Sequence, residues 1–242
     1  MPPVICEDNI VEFTGFREQT NEYFWGAKLD NTKAYYEKNK ETYLDFVKRP
    51  LHALHQDLMP TAQWIDPDIC VTPARCVSRA FNDFRYSGKI YPIKSYMHLH
   101  FCASVARENE DTPGLFFGAS YSGWDCGFFV YHATNAGMAA FREAVLNDVD
   151  AFVRLADAVH ADPRIHLGGE EYKKDRFPDL PIQAKMYLNK KRFYLISEYG
   201  ADDPRYYSQA LVGEIDSVWR QIAPIYHFYL SAIKKKNSGC LE

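Results

Sequence analysis

Between Ser78 and Ser95 the chain reads SRAFNDFRYSGKIYPIKS, which sets four cations, Arg79, Arg85, Lys89 and Lys94, against one carboxylate, Asp83. Across all 242 residues there are 28 Lys and Arg against 32 Asp and Glu, net −4, so the stretch is a local excess of positive charge in an acidic chain. In an extended segment residues of one parity share a face, which predicts Arg79, Phe81, Asp83 and Arg85 on one side. Asp83 then lies between two guanidiniums, about 7 Å from Arg85 at Cα. Arginine offers a planar, bidentate fork and lysine a point charge, so the chemistry predicted here is capture of a phosphate or carboxylate. Arg79, Arg85, Lys89 and Lys94 would hold the anion, Asp83 would orient the arginines, and Tyr86 or Tyr91 would stack on the ligand. The competing role is an Arg–Asp–Arg network that ties the segment to a neighbour.

Other constellations are less complete. His98, His100 and Cys102 alternate with Met97, Leu99 and Phe101, which puts the three polar groups on one strand face. His98 and His100 are the candidate metal ligands, but zinc needs a further ligand and same-face residues about 7 Å apart do not converge on one ion. The face is predicted to be polar and half-exposed, with no metal and no cofactor. His52 and His55 fall i,i+3 on a helix without an HExxH pattern, and read as a surface pair. Asp66 and Asp68 flank Pro67, where Asp commonly bonds its own backbone in a turn. Glu170 and Glu171 are followed at once by Lys173 and Lys174, a solvated mixed-charge loop. A second basic run, Lys185, Lys190, Lys191 and Arg192, has no acid near it in sequence and is either a charged sheet edge or part of a ligand site. Neither GxxxxGK[ST], GxGxxG nor GxSxG occurs, and Cys126, in a predicted turn, is a possible nucleophile only with a histidine beside it.

The elements that must position these groups follow from periodicity. A first helix is predicted over Phe16 to Trp25, a second with Tyr36, Tyr43, Leu44 and Val47 at helical spacing up to Pro50, and a third whose inner side is Leu51, Leu54, His55 and Leu58. From Ile69 the residues become β-branched and aromatic, predicting strands at 69–71, 75–86, 96–105, 115–121 and 127–132, with a polar loop at 107–114 and a turn at 122–125. Two helices follow, from Thr134 or Asn135 and from Asp148 to His160. Segments 180–186 and 192–197 are predicted to add to the sheet. A long helix from about Pro204 to Ile233 carries Ile215, Val218, Ile222, Ile225 and Tyr229 as a stripe, with Pro224 predicted to kink it. Forty-seven per cent hydrophobic residues suffice for a core, and no repeat or linker interrupts the chain. The fold predicted is a single α+β domain over 1–242, a central, mostly antiparallel sheet with helices from both chain ends packed on it, 1–12 and 234–242 being loose termini.

The motifs resemble a known family. FTGF at 13–16 and NTKAYYEKNKETY at 31–43 are similar to the opening signature of the family filed as domain of unknown function 2461, with Asn31, Lys33, Tyr35, Tyr36, Asn39, Lys40 and Tyr43 in its places and Pro50 and Leu51 following. Arg79, Asp83, Arg85, Tyr86, Ser87, Pro92 and Lys94 match its core motif. Asn82, Phe84, Ile90 and Ile93 stand where that motif has arginine, threonine, lysine and tyrosine, which marks a divergent member. Pro113-Gly114, Arg142 and 190–193 also fall in family positions. The resemblance implies one domain and brings no established reaction.

Function is therefore expected to be binding of an anionic small molecule or nucleotide, with nucleic acid less favoured by the net charge. The alternatives are a hydrolase or transferase on a phosphorylated substrate, with Asp83 or a nearby histidine as base, and an interaction domain without a small ligand. No run of about 18 apolar residues and no signal-like start occur, and six scattered cysteines lack a CxxC, all of which point to a soluble, cytoplasmic protein without membrane partners.

Overall fold

The computed structural model describes residues 12–83, 92–102 and 111–239. Five strands form one antiparallel sheet: β1 (Tyr96–Cys102), β2 (Thr112–Ser120), β3 (Gly123–Tyr131), β4 (His166–Gly168) and β5 (Tyr194–Gly200), in spatial order β1-β2-β3-β5-β4. Alternation decides which way each residue faces. Met97, Leu99, Phe101, Leu115, Phe117, Trp124, Cys126, Phe128 and Leu195 are buried on one side, while Tyr96, His98, His100, Phe116, Asp125, Phe129 and Glu198 of the other parity are half-buried or exposed.

Helices cover the first face only. α1 (Glu18–Leu29), α2 (Lys33–Lys38), α3 (Lys40–Tyr43), a π-helical turn (Leu44–Lys48) and α4 (Arg49–Ile65) form the N-terminal third, and α5 (Pro73–Cys76) is a single turn before β1. After the β2–β3 hairpin come α6 (Asn135–Asn147) and α7 (Val149–His160); α8 (Ile182–Leu188) leads into β5; a 3₁₀ turn (Pro204–Tyr207) precedes α9 (Ala210–Gly239). The α9 stripe of Ile215, Val218, Ile222, Ile225 and Tyr229 is fully buried, as is the inner side of α4, and the two helices pack on each other. Trp219 of α9 donates its indole N–H to the Phe116 carbonyl at 3.2 Å, and Tyr226 donates to the buried Asp66 carboxylate at 2.7 Å. Asp66 also receives the Asp68 N–H at 3.1 Å, the short turn that the spacing predicts.

Several boundaries differ from the sequence pattern for identifiable reasons. Segment 180–186 is helical, because Pro181 opens a turn and Ala184, Tyr187 and Leu188 bury at helical rather than alternate spacing. Residues 75–83 form no regular strand: Arg75 belongs to α5, started by Pro73, and only Val77 and Phe81 bridge to neighbours, Leu99 and Ile93. β3 starts at Gly123 rather than 127, so Asp125 and Cys126 lie in a strand and not in a turn. Gly123 has φ 145, and a side chain there would meet the Tyr199 carbonyl at 2.2 Å. Thr112–Gly114, read as loop, begins β2. The tail expected to be loose from 234 is helical to Gly239, held where Lys236 donates to the buried Asp111 carboxylate at 2.9 Å. No described helix is long and apolar enough to cross a membrane.

Candidate functional site

Residues 78–83 and 92–94 form an arm along the β1 edge. Ser78 donates its backbone N–H to the His98 carbonyl at 3.0 Å; Asn82 N–H reaches the Pro92 carbonyl at 2.9 Å, and Lys94 N–H the Ala80 carbonyl at 2.8 Å. Residues 80–82 thus run antiparallel to 92–94. Arg85, Tyr86 and Lys89 lie outside the described residues, as does the remainder of 84–91. Asn31 pins the arm from the helical side, its amide donating to the Ile93 carbonyl at 2.8 Å and accepting the Ile93 N–H at 3.0 Å. Tyr36 packs edge-on against Phe81, ring centroids 4.7 Å apart.

The two sides of this arm look into different concavities, and Arg79 and Lys94 are on opposite ones. Arg79, together with Phe81, faces the helices. It lines a cavity of about 380 Å³ with Lys48 of the π-helical turn, His52 of α4, Ser78, and the rings of Tyr36 and Tyr43. Lys48 and His52 are one helical turn apart, which puts both on the face that looks at the arm. Lys48 and Arg79 are exposed at the rim, and no Asp or Glu is among the lining residues. Among the described residues neither cation has a salt bridge. Burial, and then the Lys48 charge, hold the His52 imidazole below its ordinary pKa. Asp83 is exposed at the end of the described arm and is not among the residues that line this cavity.

Lys94 faces the open side of the sheet, its ammonium 5.7 Å from the Tyr96 ring centroid. There the rings of Tyr96, His98 and His100 stack in a row along β1, at 5.8 Å and 4.3 Å, and His100 meets Phe129 at 5.0 Å. Strand register continues this surface sideways: His98 pairs with Gly118, Gly118 with Asp125, and Asp125 with Glu198. Gly118 leaves the middle of that row bare, and the Asp125 carboxylate leans over it; a Cβ at 118 would sit 2.4 Å from Asp125 Oδ1. Burial, then the neighbouring Glu198, push Asp125 up to about 6. Burial first, then His100 and Lys94, push His98 down to about 3; burial and Lys94 push His100 down to about 4. Both imidazoles are therefore neutral at pH 7. No group of three or more His, Cys, Asp or Glu among the described residues could hold a metal ion.

The second basic run is on the far side of the molecule. It adjoins β5 and β4, the opposite sheet edge from β1, about 19 Å away at four strand spacings. Three of its four charges are absorbed: Lys185 pairs with Asp175 at 2.7 Å, Lys190 with Glu171 at 2.5 Å, and Lys191 with Glu170. Arg142 of α6 donates to the Leu188 and Lys190 carbonyls at 3.0 and 2.6 Å, capping α8. Glu170 and Glu171 are thus ion-pair partners of the run, in a loop that stays exposed and of mixed charge. Cys126 is fully buried and burial pushes its thiol far up, which removes it as a nucleophile.

The motif residues Asn31, Tyr36 and Arg142 therefore hold the arm and α8 in place, and the family expected from them is matched over residues 19–228, a family described as conserved hypothetical protein (DUF2461). The chain belongs to this family. Within DUF2461 the match spans α1 to most of α9, so arm, cavity and open face all lie inside it. A comparison with curated proteins found no match.

Sequence reasoning picked out Arg79 and Lys94 but not Lys48, Asp125 or Glu198, and treated His52 only as half of a surface pair with His55. The i,i+4 spacing of Lys48 and His52 was a usable signal. His55 is instead fully buried, its ring stacked on Phe101 at 5.1 Å.

Proposed function

We propose that this DUF2461 chain binds a small ligand carrying a phosphate or carboxylate next to an aromatic or apolar body, in the cavity between α4 and the arm. The observation that carries this is the lining itself: Lys48 and His52 from one helical face and Arg79 from the arm converge on one cavity, and meet no carboxylate there. Arg79 would take the anion with its fork, Lys48 would add a point charge, and the Tyr36, Tyr43 and Phe81 rings would hold the body. Arg85, Tyr86 and Lys89, which lie outside the described residues, remain part of the proposed ligand set, with Asp83 and Lys94, as the sequence expects. The thiols of Cys70, Cys76, Cys102 and Cys126 are all free, which supports a reducing, cytoplasmic setting.

Calorimetric titration with phenyl phosphate tests it. The proposal expects saturable binding that weakens with added salt and loses about tenfold or more in Arg79→Ala, since a charge-assisted contact contributes roughly 1.5–3 kcal/mol. Equal affinity in wild type and Arg79→Ala would overturn it. A hydrolase or transferase is the second reading, favoured by one observation: His52 lines the same cavity as Lys48 and Arg79, and burial and the Lys48 charge hold its imidazole below the ordinary range, which suits a general base. Turnover of a phosphate monoester abolished by His52→Gln, with phenyl phosphate binding retained, would select it.

A further inference from the structure

The open face of the sheet carries a second concavity, of about 580 Å³, within the size range of small-molecule sites. It shares no lining residue with the anion cavity. Its walls combine exposed ring surface, chiefly Tyr96 at 39% exposure and the imidazoles beside it, with polar groups of both kinds. Asp125 and Glu198 offer acceptors; neutral His98 and His100 each offer one donor and one acceptor; Ser120 and Ser122 offer hydroxyls. The side chains of His98, His100, Asp125 and Glu198 have no salt-bridge partner among the described residues, and Asp125 leans on the Gly118 backbone alone. Polar side chains held in a row by β1, β3 and β5, with no ion pair among the described residues, keep acceptor and donor capacity for a ligand's hydrogen bonds.

Charge narrows what that ligand is. Lys94 stands at the Tyr96 end, outside the lining, while the two carboxylates within it, Asp125 and Glu198, repel each other and would repel a phosphate, so this is not a second anion site. Too few ligating groups converge for a metal ion. A bare ammonium would satisfy the carboxylates and leave the imidazole and serine donors unused. A hydroxyl both donates and accepts, and a hydroxylated ring also presents a C–H face to stack on Tyr96. We infer that the open face binds a neutral polyhydroxylated ring, with Asp125 and Glu198 accepting from its hydroxyls, His98 and His100 bonding them from the other end, and Tyr96 supporting the ring face. Gly118, without a side chain, lets the Asp125 carboxylate lie over β2, so its acceptors sit in the middle of the row, between the imidazoles and Glu198.

The test is an NMR titration of the full-length protein, following the Gly118 amide and the His98 and His100 rings. Methyl glucoside is the pyranose probe, adenosine the furanose probe, 2′,3′-dideoxyadenosine the control that lacks the ring diol and choline the cationic control. The expected result is a saturable shift at these groups with one or both hydroxylated rings, about tenfold weaker or absent in Tyr96→Ala and Asp125→Ala. Should Asp125→Ala fail to fold, Glu198→Gln, at an exposed position, is expected to weaken the same binding. No saturable shift with either hydroxylated ring, equal binding of dideoxyadenosine and adenosine, or binding of choline alone would each overturn the inference. Because His52 is read separately, failure here is distinguishable from failure of the anion site.

Discussion

The two edges of the sheet treat charge in opposite ways. At the β5–β4 edge and the helix behind it, charges are consumed in pairing: Glu214 of α9 receives Arg164 at 2.5 Å, Arg205 at 2.9 Å and the Tyr199 hydroxyl at 2.6 Å, and Lys185, Lys190 and Lys191 each hold an acid. Burial alone would push Glu214 up, yet the Tyr199 hydrogen bond and the two arginines outweigh it and leave it low. At the β1 edge, Lys48 and Arg79 converge without an acid in their cavity, and on the open face that runs from there across to β5, His98, His100, Asp125 and Glu198 stand at shifted or unpaired charge. The first region reads as structure holding itself, the second as structure waiting for something else. Charge density alone does not separate them; partners do.

That contrast can be broken by mutation, and the largest effect belongs to the paired region. Asp111, fully buried, accepts from the Thr134 N–H at 2.5 Å, its hydroxyl at 2.7 Å and Lys236 at 2.9 Å, joining the start of α6 to the end of α9. Asp111→Ala is expected to cost roughly 3 kcal/mol, a Tm loss of about 6–12 °C by calorimetry. A loss under about 2 °C would remove the distinction between the regions.

Asp125→Asn should act in the other direction. The folded carboxyl titrates near 6 and the unfolded one near 3.8, so the folded state takes the proton first and ionisation weighs against folding above pH 6. The variant is therefore expected to melt higher than wild type at pH 8, with the gain gone below about pH 4. For His98 and His100 the sign is reversed: both are held below the ordinary 6.5, the unfolded chain takes up protons first, and stability falls as pH drops from 6.5 toward 4. Denaturant titrations across that range should show a shallower fall in His98→Asn. The smallest stability effects are expected at Arg79→Ala and Lys48→Ala, within about 0.5 kcal/mol, because both are exposed and neither has a salt bridge among the described residues. A larger loss would mean that Arg79 is scaffolding.

Much of this fold was legible in the sequence. The α4 and α9 stripes, the alternation of Met97, His98, Leu99 and His100, and an antiparallel sheet with helices on one face all follow from periodicity. Punctuation was harder: Asp125 beside Gly123 looks like a turn, yet cross-strand pairing with Gly118 and Glu198 decides the matter. Segment 180–186 suits either period until the burial of Tyr187 and Leu188 selects the helix. The candidate site was legible only in part. Arg79 and Lys94 were found as members of one basic run, but which face each takes depends on the arm pairing with 92–94 and with β1, a long-range fact. For the same reason the pairing of Lys185, Lys190 and Lys191 with acids 10 to 21 residues earlier was not visible in their own neighbourhood.

The most direct test of the central claim is the titration of His52, followed by NMR of the ring nitrogens with and without phenyl phosphate. In the free protein, burial and Lys48 keep its midpoint below 6.5. An anion held by Lys48 and Arg79 should offset that charge and move the midpoint upward, and the movement should be lost in Arg79→Ala. A His52 midpoint that ignores phenyl phosphate, while the ring nitrogens remain resolved and the protein folded, would contradict an anion site between α4 and the arm.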